Sequence, residues 1–227
     1  MNVIETQNLS KIYNKDKVPV KAISDVSFTV KKGEFTAIVG PSGCGKTTLL
    51  NLIGGLDIPT EGKVNVAGVE IGNLKESELT DFRLKNIGFV FQSYNLIPVL
   101  TAKENVEFIM LLQKADKNSR YERVNELMTR MGMEGTLDRK PSELSGGQQQ
   151  RVAVARALAS KPKVILADEP TANLDSKSTG SLLDIMSKLN EEEHVTFVFS
   201  THDQRVIDKA KRVVRLVDGK IASDETV

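Results

Sequence analysis

Residues 40–47, Gly-Pro-Ser-Gly-Cys-Gly-Lys-Thr, have the types and spacing of a phosphate-binding loop, called the P-loop below. A strand-like apolar run precedes them at 35–39, and a helix-like run follows at 48–53. In such a loop the glycines let successive backbone N–H groups face one anion, and the helix dipole adds positive potential. Lys46 would reach the β- and γ-phosphates of a nucleoside triphosphate, while Thr47 would bind a bridging Mg²⁺. The segment predicts nucleotide binding, with a simple glycine turn as the alternative.

Most of the P-loop is expected to contact the nucleotide, through backbone N–H groups or through side chains. The expected contacts are Gly40, Ser42, Gly43, Cys44, Gly45, Lys46, Thr47 and the following Thr48. Cys44 is the only cysteine of the chain, so the sequence has no partner for an intramolecular disulfide and no cysteine-based zinc site. A thiol beside a helix N-terminus is activated toward oxidation, and Cys44 is therefore either a redox-sensitive position or a filler residue.

Two adjacent carboxylates, Asp168 and Glu169, follow the continuous apolar run 164–167. Ionised side chains at the end of a buried strand are costly unless a cation lies nearby. In P-loop enzymes an acidic residue at this place holds Mg²⁺ opposite the loop hydroxyl, and we assign this role to Asp168. Glu169 would then lie beside the γ-phosphate and act as the general base that deprotonates the attacking water. The alternative is a pair of solvated loop carboxylates.

A second candidate anion site lies at Ser145-Gly146-Gly147-Gln148, immediately before the helical run 149–159. The N-terminus of a helix presents free N–H groups to an anion, but Ser145 would equally cap its own helix. The chain thus offers two phosphate-binding helix starts and one set of Lys, Thr and Mg²⁺-binding groups. Either one of the two sites is unused, or one nucleotide is shared between two copies of the protein.

Length and composition indicate a folded globular protein. The 227 residues are 40% hydrophobic, enough to bury a core in one large α/β domain or two small ones. Lys and Arg number 31 against 30 for Asp and Glu, so the net charge of +1 gives no electrostatic footprint for nucleic acid. Residues 1–17 lack a signal-peptide core, and no apolar run reaches the roughly 18 residues that span a bilayer. We therefore expect a cytoplasmic protein that reaches a membrane only through a partner.

The elements that must position these residues indicate an α/β fold. Continuous apolar runs predict a mostly parallel sheet, the core of a P-loop NTPase. They lie at 35–39, 87–91, 164–167 and 195–200. Alternating apolar residues before the P-loop, together with a hairpin strand at 63–71, predict an N-terminal antiparallel β subdomain. We expect the chain to close with a strand at 213–217, a hairpin-type Asp218-Gly219 and a polar tail.

Only helical periodicity is found from about residue 101 to 162, which predicts an inserted α-helical subdomain. We expect one domain, 1–227. Within it, 1–91 and 163–227 would form the nucleotide-binding core, and 92–162 would form the helical subdomain that carries the second candidate anion site.

The order of these motifs resembles that of the ATP-binding-cassette (ABC) ATPases over essentially the whole chain. The matching segments are the P-loop, Gln92, residues 144–148, Asp168-Glu169, residues 173–175 and His202. The resemblance implies ATP and Mg²⁺ as cofactors and a second copy of the chain as a partner. In this family two cassettes pair head to tail, so that each ATP lies between the P-loop of one chain and the Ser-Gly-Gly segment of the other. Such pairing would explain why the chain has two anion sites.

Four further positions take roles from the resemblance. Tyr13 resembles the aromatic residue that stacks on adenine, and Gln92 the lid glutamine that contacts Mg²⁺ and the attacking water. Asp175 is similar to the aspartate that couples the two sites, and His202 to the switch histidine at the γ-phosphate. Each has a plainer alternative: a half-buried strand residue for Tyr13, a helix N-cap for Asp175, and solvated strand-end side chains for Gln92 and His202.

The segment 89–106 resembles the branch of the family that serves lipoprotein release, macrolide export and antimicrobial-peptide resistance. This implies the motor subunit of an exporter or of a system that does mechanical work, attached to an integral membrane permease at the inner face of the cell membrane. One alternative is a soluble ABC ATPase that acts on nucleic acid or the ribosome, which usually carries a coiled coil, fused cassettes or a basic surface. Another is a P-loop kinase, which would leave residues 144–148 unexplained.

Overall fold

The computed structural model describes residues 1–14 and 18–227, and its strands form two sheets. The strands are β1 (Asn2–Tyr13), β2 (Val20–Lys31), β3 (Phe35–Val39), β4 (Glu61–Val66), β5 (Val69–Glu70), β6 (Ile87–Val90), β7 (Val164–Asp168), β8 (Phe197–Thr201), β9 (Arg212–Val217) and β10 (Lys220–Thr226). The helices are α1 (Lys46–Ile53), α2 (Glu76–Asn86), α3 (Ala102–Leu112), α4 (Lys117–Arg130), α5 (Gly146–Ala159), α6 (Ser176–Glu193) and α7 (Gln204–Lys209).

The larger sheet has the strand order β10-β9-β3-β8-β7-β6, and all its pairs except β10 with β9 are parallel. Every residue of β3 and β8 is buried, as expected for parallel strands that are covered on both faces. Phe197 and Phe199 pack with α3 to α6, whereas Val198 between them packs with α1 and the smaller sheet. The predicted α/β fold with a mostly parallel sheet is confirmed.

The smaller sheet is antiparallel, with the order β2-β1-β4-β5, and it confirms the predicted N-terminal β subdomain. The run 63–71, predicted as one strand, is instead a tight hairpin of β4 and β5. Ala67 and Gly68 form its turn with φ of 51° and 82°. Two successive positive φ values are what a two-residue hairpin turn requires. The apolar positions change from even to odd numbers across this turn, but Ala67-Gly68 lacks the Asn-Gly or Asp-Gly signature of such hairpins, so the turn was not predicted.

The predicted polar tail is wrong, because residues 220–226 form β10, which pairs antiparallel with β9. Asp218 and Gly219 make the connecting turn, with φ of 45° and 74°. Most side chains of β10 are exposed, as expected at the edge of a sheet, where the strand is held by backbone hydrogen bonds and polar side chains are tolerated. An ion pair anchors it, since Arg212 donates to both Asp224 oxygens at 2.7 Å.

Between β6 and β7 the described elements are helical, with α3, α4 and α5 packed on one face of the larger sheet. Thr101 starts α3 through a capping box with Glu104, and the Asp116 side chain caps α4. Leu127 and Met128 on α4 are fully buried against these neighbours. In the parts of the chain that the structure describes, no helix is both long and apolar enough to cross a membrane.

Candidate nucleotide-binding site

The carboxyl ends of three parallel strands bring the candidate residues to one edge of the larger sheet. Val39 at the end of β3 is in register with Thr201, and Asp168 at the end of β7 is in register with Ser200. The segments that follow these strands carry the P-loop, the second carboxylate and the histidine. Open α/β sheets bind their ligands outside the carboxyl ends of the strands. The topology therefore places the predicted residues where such a sheet binds a ligand.

The P-loop enters α1 through Gly45, whose φ is 105°. A side chain at this position would place its Cβ 2.3 Å from the carbonyl oxygen of Ala22, so only glycine fits. Gly45 makes no side-chain cap, which leaves N–H groups of the first turn of α1 for an anion. Lys46 is buried, and its Nζ donates to the carbonyls of Gly40 at 2.9 Å and Pro41 at 3.1 Å. One of its three N–H donors is not used in these bonds.

The back of the P-loop rests on the hairpin of β9 and β10. The N–H of Gly219 donates to the carbonyl of Cys44 at 3.0 Å, and the N–H of Ser24 donates to the carbonyl of Gly219 at 2.9 Å. A Cβ on Gly40 would lie 2.1 Å from the carbonyl oxygen of Leu216, so the loop backbone lies directly against β9. The C-terminal hairpin thus forms one wall of the loop.

Thr47 and Asp168 meet across the gap between α1 and β7. The Thr47 hydroxyl lies 3.0 Å from both carboxylate oxygens, and the buried Ser200 hydroxyl donates to Oδ1 of the same carboxylate. Hydroxyl and carboxylate oxygens suit Mg²⁺, which holds adjacent oxygens about 2.1 Å from itself and hence about 3.0 Å from one another. These two side chains therefore fit a Mg²⁺ ion. No group of three His, Cys, Asp or Glu in the described ranges could hold a metal alone, so nucleotide and water oxygens would complete the site.

Glu169 and His202 form the polar pair next to this carboxylate. His202 Nδ1 lies 2.9 Å from Glu169 Oε1, and since an ionised carboxylate only accepts, Nδ1 is the donor. The Glu169 side chain is 14% exposed, whereas that of His202 is 70% exposed. Glu169 Oε2 is buried and has no hydrogen-bond partner among the residues that the structure describes. A buried carboxylate oxygen of this kind needs a donor, and a water molecule on the nucleotide side can supply it.

A cavity of about 690 Å³ joins these groups, a volume typical of small-molecule sites. It is lined by Val20, Lys21, Ala22, Gly40, Pro41, Ser42, Gly43, Gly45, Lys46, Thr47, Thr48, Gln92, Glu169 and His202. Ten of these are predicted site residues, and β2 supplies three that sequence analysis missed. Nothing in the type of Val20, Lys21 or Ala22 marks them, because they reach the cavity only through the packing of β2 against the P-loop.

The predicted residues at the start of α5 lie away from this cavity and form a separate surface of the same chain. Ser145 caps α5: its hydroxyl accepts from the N–H of Gln148 at 3.3 Å, and Gln148 Oε1 accepts from the N–H of Ser145 at 2.9 Å. A Cβ on Gly147 would lie 2.8 Å from the Ser178 hydroxyl, so the start of α6 packs closely against it. Asp175 caps α6 through bonds from the N–H and hydroxyl of Ser178. Ser145 and Asp175 thus both act as helix N-caps in the structure, which is the plainer role that the sequence allows for each.

Tyr94 connects the segment that follows β6 with the start of α5. A Cβ on Gly146 would lie 2.8 Å from the Tyr94 hydroxyl, which donates to the carbonyl of Asn173 at 3.5 Å. The Asn173 side chain in turn donates to the carbonyl of Gln92 at 3.0 Å. These contacts link the segments 92–95, 145–148 and 173–175, which the sequence places far apart.

Arg156 on α5 fixes the backbone after Gln92. Its guanidinium donates to the carbonyls of Tyr94 at 2.9 Å and Asn95 at 2.5 Å, and both of these residues have left-handed φ, 61° and 48°. Burial lowers the pKa of Arg156. The fixed fork of the guanidinium suits two neighbouring carbonyls, and it holds a backbone conformation that tyrosine adopts only at a cost.

Besides residues 145–148, two predicted nucleotide contacts do not line the cavity within the described ranges. The Tyr13 hydroxyl donates to Asp57 at 2.6 Å, and burial and this carboxylate raise the pKa of Tyr13. The side chain of Cys44 is 5% exposed and packs in the apolar cluster beneath the loop. A buried thiol in apolar surroundings has little access to oxidants. Tyr13 is a half-buried residue of β1, and its stacking on adenine stays a prediction. Cys44 can act on a ligand only through its backbone.

Several known proteins are similar to this chain over most of its length. A family model described as "ABC transporter" matches residues 23–172. An uncharacterized ABC transporter ATP-binding protein of Methanocaldococcus jannaschii, MJ1508, is 46% identical over 219 residues, which are 96% of this chain and 97% of the relative. The macrolide export ATP-binding/permease protein MacB of Mannheimia succiniciproducens is 42% identical over 224 residues, which are 99% of this chain but 35% of MacB.

A solved structure shares the fold over almost the entire chain. It is a dimer of the ATP-binding cassette MJ0796 in a post-hydrolysis state, bound to ADP and Pi. The TM-score is 0.91 with 43% sequence identity, and the match covers 98% of each chain. MJ0796 is described as an uncharacterized ABC transporter ATP-binding protein of Methanocaldococcus jannaschii.

Proposed function

Because the chain belongs to the ABC transporter ATP-binding family, whose members bind and hydrolyse ATP, we propose how its own residues perform that reaction and what it drives. The protein is a transport-coupled ATPase and a motor subunit. The observation that carries the proposal is that Lys46, Thr47 and the Glu169–His202 pair line one cavity at the strand ends. Asp168 lies beside this cavity, where it accepts a hydrogen bond from Thr47. No comparable set of groups faces the start of α5 among the described residues.

The P-loop would hold the triphosphate. The start of α1 and the backbone of residues 40–45 would surround the β-phosphate, and the Lys46 ammonium would exchange its contacts with loop carbonyls for contacts with the β- and γ-phosphates.

A Mg²⁺ ion would be held by Thr47, Asp168 and the side chain of Gln92. When bound, this ion neutralises charge on the phosphates. Ser42, Gly43, Cys44 and Thr48 would contribute backbone or hydroxyl contacts, and Tyr13 would stack on the adenine.

Glu169 would act as the general base on the attacking water. Its Oε2 has no partner in the described structure, while Oε1 is held by His202, so the side chain is oriented with one oxygen available to accept a proton. Gln92 lines the same cavity and would help to position the water. His202, largely exposed, would contact the γ-phosphate through its second ring nitrogen. General-base catalysis of this type typically contributes about 10²–10⁴-fold.

A second copy of the chain would complete each site by pairing head to tail. Ser145, Gly146, Gly147 and Gln148 would contact the γ-phosphate of the ATP held by the partner. Capping does not prevent this, because the Ser145 hydroxyl accepts from Gln148 and still has its own hydrogen to donate. The dimeric structure of MJ0796 with ADP and Pi supports such pairing, and an isologous two-fold dimer is the commonest symmetry for one chain.

The partner at the membrane would be an integral permease subunit, and the protein would lie at the inner face of the cell membrane through it. MacB supports this, because it joins a similar cassette to a permease in one chain. A groove of about 270 Å³ supports it further, since it lies beside the segment after Gln92 and is lined by Phe89, Phe91, Ile97 and Phe108 among others. In this arrangement 1–227 is one cassette, with 92–162 as the helical subdomain between the core segments 1–91 and 163–227.

Glu169→Gln tests the proposal, because it keeps the size of the side chain but removes its capacity to accept a proton. We expect hydrolysis to fall about 10²–10⁴-fold while ATP binding survives. ATP bound between two chains stabilises the dimer by mass action, so ATP should convert this variant from monomer to stable dimer. Light scattering after size-exclusion chromatography, with and without ATP, measures this. Glu191→Gln, an exposed position on α6, is the matched control and should behave as the wild type.

A second variant in the same background separates the shared site from other modes of association. Ser145→Arg adds bulk and charge at the start of α5, where they would meet the partner's nucleotide. We expect ATP binding to the monomer to survive and dimerisation to be lost. Wild-type hydrolysis by Glu169→Gln would contradict the assignment of the base, and an ATP-dependent dimer of the double variant would contradict head-to-tail pairing.

A further inference from the structure

A second cavity of about 670 Å³ lies at the edge of the larger sheet opposite the ATP site. Lys163 lies directly before the first residue of β7, Val195 lies two residues before the first residue of β8, and both line this cavity. The ATP site lies at the opposite ends of these two strands, after their last residues. A five-residue strand is roughly 17 Å long. The two cavities are therefore separated by the length of the strands, and a ligand in one does not touch a ligand in the other.

Basic side chains dominate the lining of this second cavity. They are Lys32, Arg123, Arg130, Lys161 and Lys163, against the acidic Glu126 and Glu193. Both acids are already paired with the two arginines. The three lysines form no ion pair within the part of the chain that the structure describes. The cavity thus carries an excess of positive charge, although the chain as a whole is almost neutral.

Arg123 is the most buried of these cations, with 11% of its side chain exposed. One nitrogen of its guanidinium, Nη1, donates to Glu126 at 2.9 Å, and another, Nη2, donates to the carbonyl of Leu158 at 3.1 Å. Its Nε is buried and has no partner among the described residues. A buried donor of a charged group is costly to leave unpaired, so this nitrogen calls for an acceptor.

Most of the remaining lining is apolar, with Val3, Leu158, Pro162 and Val195 among its residues, and the polar side chains of Asn2 and His194 complete it. A binding site that combines apolar walls with a few charged groups, at this volume, is typical of sites for small organic ligands. The charged groups select an anion, and three lysine ammonium groups beside the paired arginines carry more positive charge than a single carboxylate neutralises, which favours a phosphate.

We propose that this cavity binds a small organic phosphate, with the phosphate among Arg123, Lys161 and Lys163 and the apolar part against Leu158 and Pro162. This site is additional to the ATP that the protein hydrolyses. It lies at the C-terminal ends of α5 and α6, the two helices that begin at the Ser145 cap and the Asp175 cap. A ligand that prefers one arrangement of these helices would shift ATP-driven pairing by its difference in affinity.

Naphthyl phosphate is the probe that tests this site, since it has an apolar body, one phosphate and its own fluorescence. The titration uses the full chain saturated with ADP and Mg²⁺, so that the P-loop is occupied. We expect one saturable site per chain. Lys161→Gln combined with Lys163→Gln should weaken it about tenfold or more, because hydrogen bonds to charged groups are lost. Lys117→Gln combined with Lys220→Gln removes the same charge elsewhere and should leave the affinity unchanged.

Competition experiments decide between the sources of the phosphate. Displacement of naphthyl phosphate by AMP supports a soluble ligand, and displacement by phosphatidylglycerol vesicles but not phosphatidylcholine vesicles supports a lipid headgroup. Equal affinity for neutral naphthol would overturn the anion site, as would equal binding by the two double variants. Absence of saturable binding would also overturn it, and the lysines would then serve only the helix ends. None of these results bears on ATP hydrolysis.

Discussion

The chain contains two helix starts with glycines and a predicted phosphate contact, and they differ in what surrounds them. The start of α1 has no side-chain cap, and around it the fold assembles Lys46, Thr47 with Asp168, and Glu169 with His202. The start of α5 is closed by the capping box of Ser145 and Gln148. No acid, base or ammonium group comparable to those at α1 accompanies it among the described residues.

This difference explains a division of labour between the two surfaces. A helix start with free N–H groups and a buried ammonium attracts an anion by itself, whereas a capped start gains little from an anion unless another surface delivers it. In the proposed head-to-tail pairing, the first surface would bind nucleotide in one chain, and the second would become useful only when a nucleotide arrives on a partner. Pairing would then depend on ATP.

Lys46→Ala should have the largest effect, because among the described residues it removes the only buried ammonium of the P-loop surface. We expect hydrolysis to fall at least about 10³-fold, as when groups that stabilise transition-state charge are deleted. Phosphate release from ATP under saturating Mg²⁺ is the measurement. Lys117→Ala, an exposed lysine at the start of α4, is the control. Near-normal turnover of Lys46→Ala would contradict the view that the charged groups around α1 make this helix start the nucleotide site.

Ser145→Asp separates capping from phosphate contact at the α5 surface. Aspartate caps helices as well as serine does, so the urea midpoint of unfolding should hardly change. Its negative charge would oppose the γ-phosphate of the partner, and we expect hydrolysis to fall about 10²-fold. Retained hydrolysis with unchanged stability would mean that the serine serves only its own helix.

His202→Ala should have an intermediate effect, because it removes the group that orients Glu169 rather than the base itself. Loss of one charge-assisted hydrogen bond predicts a decrease in hydrolysis of about 10–100-fold, with ATP affinity little changed. The chain offers a matched control in its other histidine, and His194→Ala should hydrolyse ATP normally. A decrease in ATP affinity with unchanged turnover would limit His202 to its γ-phosphate contact and contradict its role in orienting Glu169.

Asp175→Asn should give the smallest effect, on stability and its dependence on pH. Bonds from the hydroxyl and N–H of Ser178 hold the pKa of Asp175 below its usual range. A lowered folded-state pKa adds stability above the unfolded-state pKa, and this stability is lost as pH falls through the lowered value. Wild type and Asp175→Asn should therefore differ slightly in urea midpoint at pH 7 and converge in acid. A difference that is constant with pH would exclude the carboxylate as its cause.

Local chemistry made much of the fold predictable. The run at β3 is as long as the strand itself, because a strand covered on both faces admits mainly apolar residues. Its one polar residue, Thr36, is buried with its hydroxyl donating to Glu34 at 3.1 Å, as a buried polar group requires. Residues 220–226 were not recognised as a strand, since an edge strand is held by backbone hydrogen bonds that leave no apolar pattern. The turn at Ala67 and Gly68 was missed for a different reason, because alanine is rare at positive φ and therefore does not mark a hairpin turn.

The site was predictable where a residue acts through its own chemistry and not where it acts through packing. Lysine, threonine and adjacent carboxylates indicate their chemistry by type and spacing. Ser200 holds Asp168 and receives the N–H of Glu169, yet a serine at the end of a strand is common, and only the register of β7 with β8 reveals it. The left-handed φ of Glu169, 46°, likewise depends on this packing. The catalytic roles themselves stay predictions until the variants are measured.

The hairpin behind the P-loop has a consequence for the synthesis of the protein. The N–H of Gly219 supplies the hydrogen bond to Cys44, and β9 supplies the wall against Gly40. Ribosomes add about 5–20 residues per second, so the nucleotide loop leaves the ribosome on the order of ten seconds before its rear wall exists. In a nascent chain the P-loop therefore lacks its contacts with Leu216 and Gly219 until the hairpin of β9 and β10 has emerged. Messages that pause late in translation should yield chains that are folded in part but cannot yet retain ATP.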